Sequence, residues 1–354
     1  LRIIFATSCN KLYTDGAKHY QNQVFKFQNR QNQERIMLLF APVAMHIPDG
    51  FLSVATSSVL WVFAILAVGY ALVRAGEDLG ERQVPLMGVV AAAIFAGQML
   101  NFPVAGGTSG HLMGATIATI LLGPWAAILV MTSVVSIQAL IFQDGGLLAL
   151  GGNIFNMGLI GVAVTYFVYR TIKKLAGGQS WGVFVGGALS AWLSIFVASL
   201  AAALQLALSG SSPADLAIPT MAGIHAIIGV GEALITVGAL AFVYAGRRDL
   251  LKLGDAQPKG GRLVWVVGLA LALMLAILSP IASANPDGLE WVAQQNGFID
   301  KAQNPGYSII PDYAVPGIGN EQLATILAGI IGVIVVFGVA MAVAYTRRKR
   351  GTAS

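Results

Sequence analysis

From residue 51 onward the chain alternates long apolar runs with short polar breaks. The runs cover 51–73, 84–103, about 108–122, 125–142, 147–169, 181–208, 216–245, 263–283 and 322–346. Crossing about 30 Å of hydrocarbon takes roughly 20 helical residues. A segment in lipid must also satisfy its own backbone polar groups, which favours helices. The pattern therefore predicts an all-α integral membrane protein of about nine transmembrane helices. The third and fourth runs are the least regular, because Gly123-Pro124 divides one apolar stretch into two short pieces.

The polar breaks carry charge in alternation. Arg74 and Arg82 follow the first run. Arg170, Lys173 and Lys174 follow the fifth. Arg247, Arg248, Lys252, Lys259 and Arg262 follow the seventh, and Arg347, Arg348, Lys349 and Arg350 follow the ninth. The intervening breaks carry Asp144, Asp215, Asp287, Glu290, Asp300, Asp312 and Glu321, with Lys301 the lone base. Basic loops stay cytoplasmic. Nine helices satisfy this rule with the residue-45 end outside and the C-terminus inside the cell membrane. The polar stretch 246–262, with Pro258 and Gly260-Gly261, separates a seven-helix bundle (45–245) from a two-helix C-terminal unit (263–354), whose outer loop spans 284–321.

Composition agrees with the pattern. The chain is 56% hydrophobic and 10% charged, against about 25% charged in soluble domains. The net charge of +5 lies mostly in short loops, so topology accounts for it and nucleic acid is not expected as a partner. Cys9 is the single cysteine, which excludes an internal disulfide and a cysteine-built metal site. Residues 1–44 differ from the rest: they are rich in Gln and Asn, hold six basic residues and start with Leu1. Such a segment would cross a membrane poorly, so it is read as a leader or upstream stretch outside the mature fold, with Met45 as the true start.

The candidate chemistry gathers at the outer end. Of four histidines, His19 lies in the excluded segment, while His46 and His111 both fall outside, near helix ends. His111 sits in a Gly-rich stretch, 102–115. Such backbone is tolerated at membrane depth only where protein buries it or it lines a cavity. If Met45 is the free N-terminus, its amine, the His46 amide nitrogen and the His46 imidazole can close adjacent five- and six-membered chelate rings on one metal. Ni(II) and Cu(II) favour square-planar nitrogen fields, and His111 is the candidate fourth donor. Asp49, Thr108, Asn153 and Asn156 are candidates for orienting these ligands. His225 and Glu232, seven apart on one apolar helix, share a face, and ionisable residues inside a span are functional candidates.

Four blocks carry a family resemblance: MHIPDGFLS (45–53), GGTSGHLMGATIATILLGPWAA (106–127), DGGLLALGGNIFNMGLIG (144–161) and HAIIGVGEALIT (225–236). Together they resemble the CbiM/NikM family, the substrate-specific components of energy-coupling-factor importers for cobalt or nickel. The stretch ANPDGLEWVA (284–293) resembles the small CbiN/NikN subunit, so the chain looks like a fusion of the two. The resemblance implies a metal held by the Met45 amine, the His46 amide nitrogen and imidazole, and His111. It also implies a membrane coupling subunit and two cytoplasmic ATPases as partners. The metal would be the transported substrate, with no prosthetic group, and the PDGLE loop would cap the site or regulate its loading.

The sequence narrows the competing classes. It lacks G-x-x-x-x-G-K-[ST], so ATP would have to be bound by other subunits. It lacks H-E-x-x-H, and His46 and His111 stand 65 residues apart, which argues against a membrane metalloprotease. A stand-alone, gradient-driven metal permease remains the alternative. That class is expected to line helix interiors with acids and histidines, and here only His225 and Glu232 qualify.

Overall fold

The structure is a computed structural model and describes residues 46–78, 83–251, 262–303 and 305–347. The expected leader, Met45 and residues 252–261 of the linker lie outside the described residues. The helices are α1 (Val54–Asp78), α2 (Gln83–Gln98), α3 (Ala115–Leu122), α4 (Pro124–Phe142), α5 (Leu150–Leu175), α6 (Trp181–Leu208), α7 (Ala214–Gly246), α8 (Arg262–Leu278), α9 (Gly288–Gln295) and α10 (Glu321–Arg347). A hairpin of β1 (Phe102–Val104) and β2 (Thr108–Gly110) pairs Phe102 with Gly110 and Val104 with Thr108.

Among the described residues seven helices are long and apolar enough to cross a membrane: α1, α4, α5, α6, α7, α8 and α10. Helix α2 has 16 residues, about 24 Å at the helical rise. It is apolar on all sides, which is the pattern of a helix enclosed by others. The third expected run is corrected by the structure. It is divided between β2 and the eight-residue α3, too short to cross by itself. Glycine drives the break: Gly106 and Gly107 turn the hairpin at φ +86° and +77°, and Gly114 starts α3 at φ +81°, conformations that glycine adopts without steric cost.

The two sides of the 246–262 linker pack as neighbours. Gly332 of α10 lies where a β-carbon would meet the Phe95 ring of α2 at 2.1 Å, and Gly268 of α8 where one would meet Val89 at 2.3 Å. Small residues at such crossings let helices approach closely and gain dispersion contacts. At one end of the bundle the long loop 284–320 meets the starts of several helices. Gln303 N donates to Asp49 O, Ser109 N to Pro286 O, and Asn296 Nδ2 to Ser212 Oγ. Helices α1, α5, α7 and α10 all start at this end, so their basic C-terminal ends gather at the other. There Lys173 Nζ donates to Leu251 O, and Gly76 lies beside the Arg347 carbonyl.

Candidate metal centre

The chain enters the described structure at His46, in a segment fixed by side chains of the α4–α5 region. Asn153 accepts from Ile47 N at 3.0 Å and donates to Ile47 O at 3.0 Å. Asp49 accepts from Leu147 N at 3.1 Å and Ala149 N at 2.9 Å, placing a carboxylate at the N-terminal end of α5, where the helix dipole favours it. Two π-helical stretches, Gln138–Phe142 and Ile154–Ile160, flank this loop. Such insertions re-aim side chains and are common at functional sites.

His46 is 3% exposed. Its amide donates to Asp144 Oδ1 at 3.1 Å, and its Nδ1 lies 3.0 Å from the same oxygen. The other oxygen of Asp144 accepts from the Tyr313 hydroxyl at 2.6 Å. Burial disfavours a charged imidazole, but the Asp144 carboxylate outweighs burial and holds the His46 pKa above its ordinary value. Burial likewise disfavours ionised Asp144, yet His46, with help from Tyr313, holds it below the usual carboxylate range. His46 Nε2 is buried without a hydrogen-bond partner among the described residues.

His111 follows β2. Its Nδ1 is 3.1 Å from Leu112 O. A carbonyl only accepts, so Nδ1 carries the proton, and in the neutral ring Nε2 holds the lone pair. Nε2 lies 4.0 Å from Asp287 Oδ2. Two anchors hold this limb. Glu232 of α7 accepts from Met113 N at 2.7 Å and Gly114 N at 3.1 Å, so one carboxylate satisfies two amides at the start of α3. From the other side the PDGLE segment is bonded to β2: Thr108 Oγ1 donates to Pro286 O at 3.0 Å, and Ser109 Oγ to Asn285 O at 2.9 Å. Asp287 then caps α9 by accepting from Glu290 N at 2.7 Å. Burial pushes Asp287 up to about 7, with the Asp144 charge adding to it. Glu290 is pushed up to about 7 by burial and then by Asp287.

The rings of His46 and His111 stand with centroids 5.7 Å apart, tilted at 60°, and both line a cavity of about 90 Å³. Asn153, Asn156, His225 and Asp287 line it further. Asn156 exchanges two amide hydrogen bonds with Gln205 at 2.8 and 2.7 Å, and His225 Nδ1 is 2.9 Å from Met221 O. Of the residues singled out in sequence, His46, His111, Asn153, Asn156 and His225 therefore converge. Asp49 and Thr108 serve backbone amides and carbonyls beside the cavity, and Met45 lies outside the described residues. Asp144, Asp287 and Tyr313 stood in the sequence only as outer-loop residues. The one available signal was that Asp144 opens one resemblance block and Asp287 lies inside another. Among the described residues no three His, Cys, Asp or Glu side chains are set as a ready cation site.

Comparison with known proteins matches two regions of the chain. The family model described as the cobalt uptake substrate-specific transmembrane region, CbiM, matches residues 46–250, and the PDGLE domain matches residues 262–349. An Archaeoglobus fulgidus chain assigned as a fused nickel transport protein, NikMN, is 36% identical over 309 residues, covering 86% of this chain and 99% of that one. The fused nickel transport protein NikMN of Rhodobacter capsulatus is 30% identical over 348 residues, with the same coverage. The cobalt transport protein CbiM of Geobacter sulfurreducens is 33% identical over 284 residues, covering 75% and 80%. The crystal structure of a truncated transition metal transporter superposes with a TM-score of 0.51 at 34% identity, covering 56% of this chain and 98% of that chain.

Proposed function

Since the chain belongs to the CbiM family of cobalt uptake transmembrane regions and carries a PDGLE domain in the same polypeptide, we propose that it is the metal-capturing membrane component of an ATP-driven energy-coupling-factor importer for Ni2+ or Co2+. It is a multi-pass transition-metal transport component. The finer reading adds the chelate, the partners and the energy source. The donors are the Met45 amine, the His46 amide nitrogen and Nδ1, and His111 Nε2. The partners are a membrane coupling subunit and two cytoplasmic ATPases. The bundle end that carries the cavity faces outward.

One observation carries the reading. The His46 amide and Nδ1 lie 3.1 and 3.0 Å from one oxygen, so both stand close to a common position, and the His111 ring centroid is 5.7 Å from that of His46. Two adjacent chelate rings need that convergence. Amide ligation requires loss of the amide proton, which passes to solvent, and square-planar Ni(II) tolerates the resulting nitrogen set well. Nitrogen donors must be deprotonated to bind, so capture weakens in acid. Asn153 and Asp49 hold the chelating segment, and Glu232 and the hairpin hold the opposing histidine. Because both Glu232 oxygens are engaged by backbone amides, the acid that a gradient-driven permease would call on is already committed to capping α3.

The test is to purify the full chain, sequence its N-terminus and measure bound nickel and cobalt. Uptake is then assayed with and without the ATPase and coupling subunits. The expected result is a Met45 start, one metal per chain and uptake only with the partners. A metal-loaded, transport-competent chain that retains residue 44 joined to Met45 would sink the chelate, since an amide cannot replace the amine.

A further inference from the structure

The long loop of the C-terminal unit reaches Asp144, the carboxylate beside His46, through Tyr313, and the geometry there is unusual. Tyr313 is 7% exposed. Its ring stacks on Phe142 at 4.8 Å and 12°, and its hydroxyl donates to Asp144 Oδ2 at 2.6 Å. Asp144 Oδ1 in turn accepts from the His46 amide at 3.1 Å and lies 3.0 Å from Nδ1. One oxygen this close to both nitrogens stands in the space that an ion chelated by them has to enter. A carboxylate pinned through its second oxygen cannot leave that space by a simple side-chain rotation.

The backbone gives a second, independent observation. Among the described residues the non-glycine positions with positive φ are Gln143 at 60°, Asp312 at 54° and Tyr313 at 54°. One precedes Asp144 directly, and the other two are Tyr313 and its neighbour. Residues with a β-carbon are disfavoured in this region and persist there only when their surroundings over-determine them. The loop that carries Tyr313 is held down accordingly. Ile310 N donates to Ile141 O at 3.0 Å, Tyr307 OH donates to Ala139 O at 3.1 Å, and Gln143 Nε2 donates to Tyr307 O. Strain on both sides of a single buried hydrogen bond marks a contact built to be held and released.

We propose that Asp144 and Tyr313 form a latch on the metal chelator. Asp144 blocks the paired nitrogens of His46 in the empty site, the Tyr313 hydroxyl positions Asp144 there, and metal enters when this carboxylate swings away. Both are positioning residues acting through His46. The latch gives the PDGLE domain a direct hand in loading, because the hydroxyl comes from its outer loop and the carboxylate from the CbiM region. This inference rests on the chelate proposed above.

The test uses the full-length chain, purified in detergent and labelled with 15N-histidine. It follows the exchange of the His46 amide in metal-free protein and the rate of Ni2+ capture. Tyr313→Phe removes one hydroxyl and keeps the stacked ring. Its expected effect is faster His46 amide exchange and Ni2+ capture about tenfold faster, the scale of losing a hydrogen bond to a charged group. Tyr307→Phe removes another hydroxyl that anchors the same loop without touching Asp144, and is expected to change neither readout. Unchanged or slower capture in Tyr313→Phe overturns the latch, as does equal acceleration in both variants, which would mean general loosening of the loop. If wild-type protein binds neither Ni2+ nor Co2+, the chelate itself fails and the latch with it. If wild type binds and His111→Ala does not, while Tyr313→Phe behaves as wild type, the latch alone fails.

Discussion

His46 and His111 meet across one cavity, yet the limbs that carry them are held by different means. The His46 limb is fixed mainly by side chains: Asn153 and Asp144 reach its backbone and ring, and its own Asp49 accepts from Leu147 N and Ala149 N, with Gln303 N of the C-terminal unit donating to Asp49 O. The His111 limb is fixed by backbone pairing in a hairpin, by Glu232 from within α7, and by carbonyls of the PDGLE segment. His46 also donates its amide to a carboxylate oxygen that lies 3.0 Å from its Nδ1, while the Nδ1 of His111 is 3.1 Å from its neighbour's carbonyl. The difference separates two tasks. Placement of His111 depends on the CbiM region and the PDGLE domain together, whereas in the proposed latch His46 is freed by moving one carboxylate.

The largest effect should come from removing either ring. His111→Ala is expected to abolish tight nickel binding by equilibrium dialysis, and His46→Ala likewise. Near wild-type affinity in His111→Ala would show that the fourth donor lies elsewhere, and the comparison would lose one of its terms. Next is Glu232→Gln, which puts an amide donor among two backbone donors. It should cost about 2 kcal/mol, read by denaturation in detergent. Resonances of His111 should broaden while those of His46 stay sharp, and equal broadening of both would break the separation of the limbs.

Gly288→Ala probes the PDGLE contact. A β-carbon there would lie 2.6 Å from Ile228 Cδ1 and 3.0 Å from His225 Cε1. Overpacking of this kind costs about 1–3 kcal/mol. Hydrogen exchange should rise in α9 and the hairpin and stay unchanged over 46–53. A uniform rise would mean that the two limbs are one cooperative unit.

Acidity should move the two limbs in opposite senses. Asp287 and Glu290, raised to about 7 chiefly by burial, favour the folded outer loop fully below about pH 4, the ordinary range of carboxyl groups. That contribution is lost as pH rises through about 7. Asp144, held low by His46 once burial is overcome, contributes above its ordinary value and loses its contribution as pH falls below it. Exchange in α9 should therefore rise between pH 4 and 7, while exchange of the 46–53 segment should rise in stronger acid, as Asp144 is protonated, and again above the ordinary histidine range, as His46 loses its proton. Parallel curves would contradict this assignment. The smallest effect is expected from Asp312→Gly, which relieves a positive φ at the expense of a looser unfolded chain. Stability should change by less than about 1 kcal/mol, with a modest gain in the rate of nickel capture.

Much of the fold was legible in local composition. Eight of the nine expected runs correspond to helices close to their expected bounds, because hydrocarbon thickness and helical rise act on each segment separately. The third run was not legible as a hairpin and half-helix. Its residues are apolar enough for a helix, and the glycine dihedrals that break it depend on what packs around them. His46 and His111 could be singled out because imidazoles are scarce in this chain and stand at helix ends. The meaning of Glu232 could not. Seven residues from His225 on one helix, it looked like a partner for that histidine, and it instead serves amides of a segment far away in the chain.

The sequence alone thus determined the membrane character, the alternation of acidic and basic ends, and the histidines worth testing, since each follows from composition within a short window. Only the tertiary structure decided which carboxylate faces which histidine. Asp144 is 98 residues from His46, and Tyr313 is 169 residues from Asp144. Contacts over such separations are set by how the helices cross and where loops are pinned, and a carboxylate is chemically the same whether it steadies a chelator or blocks it.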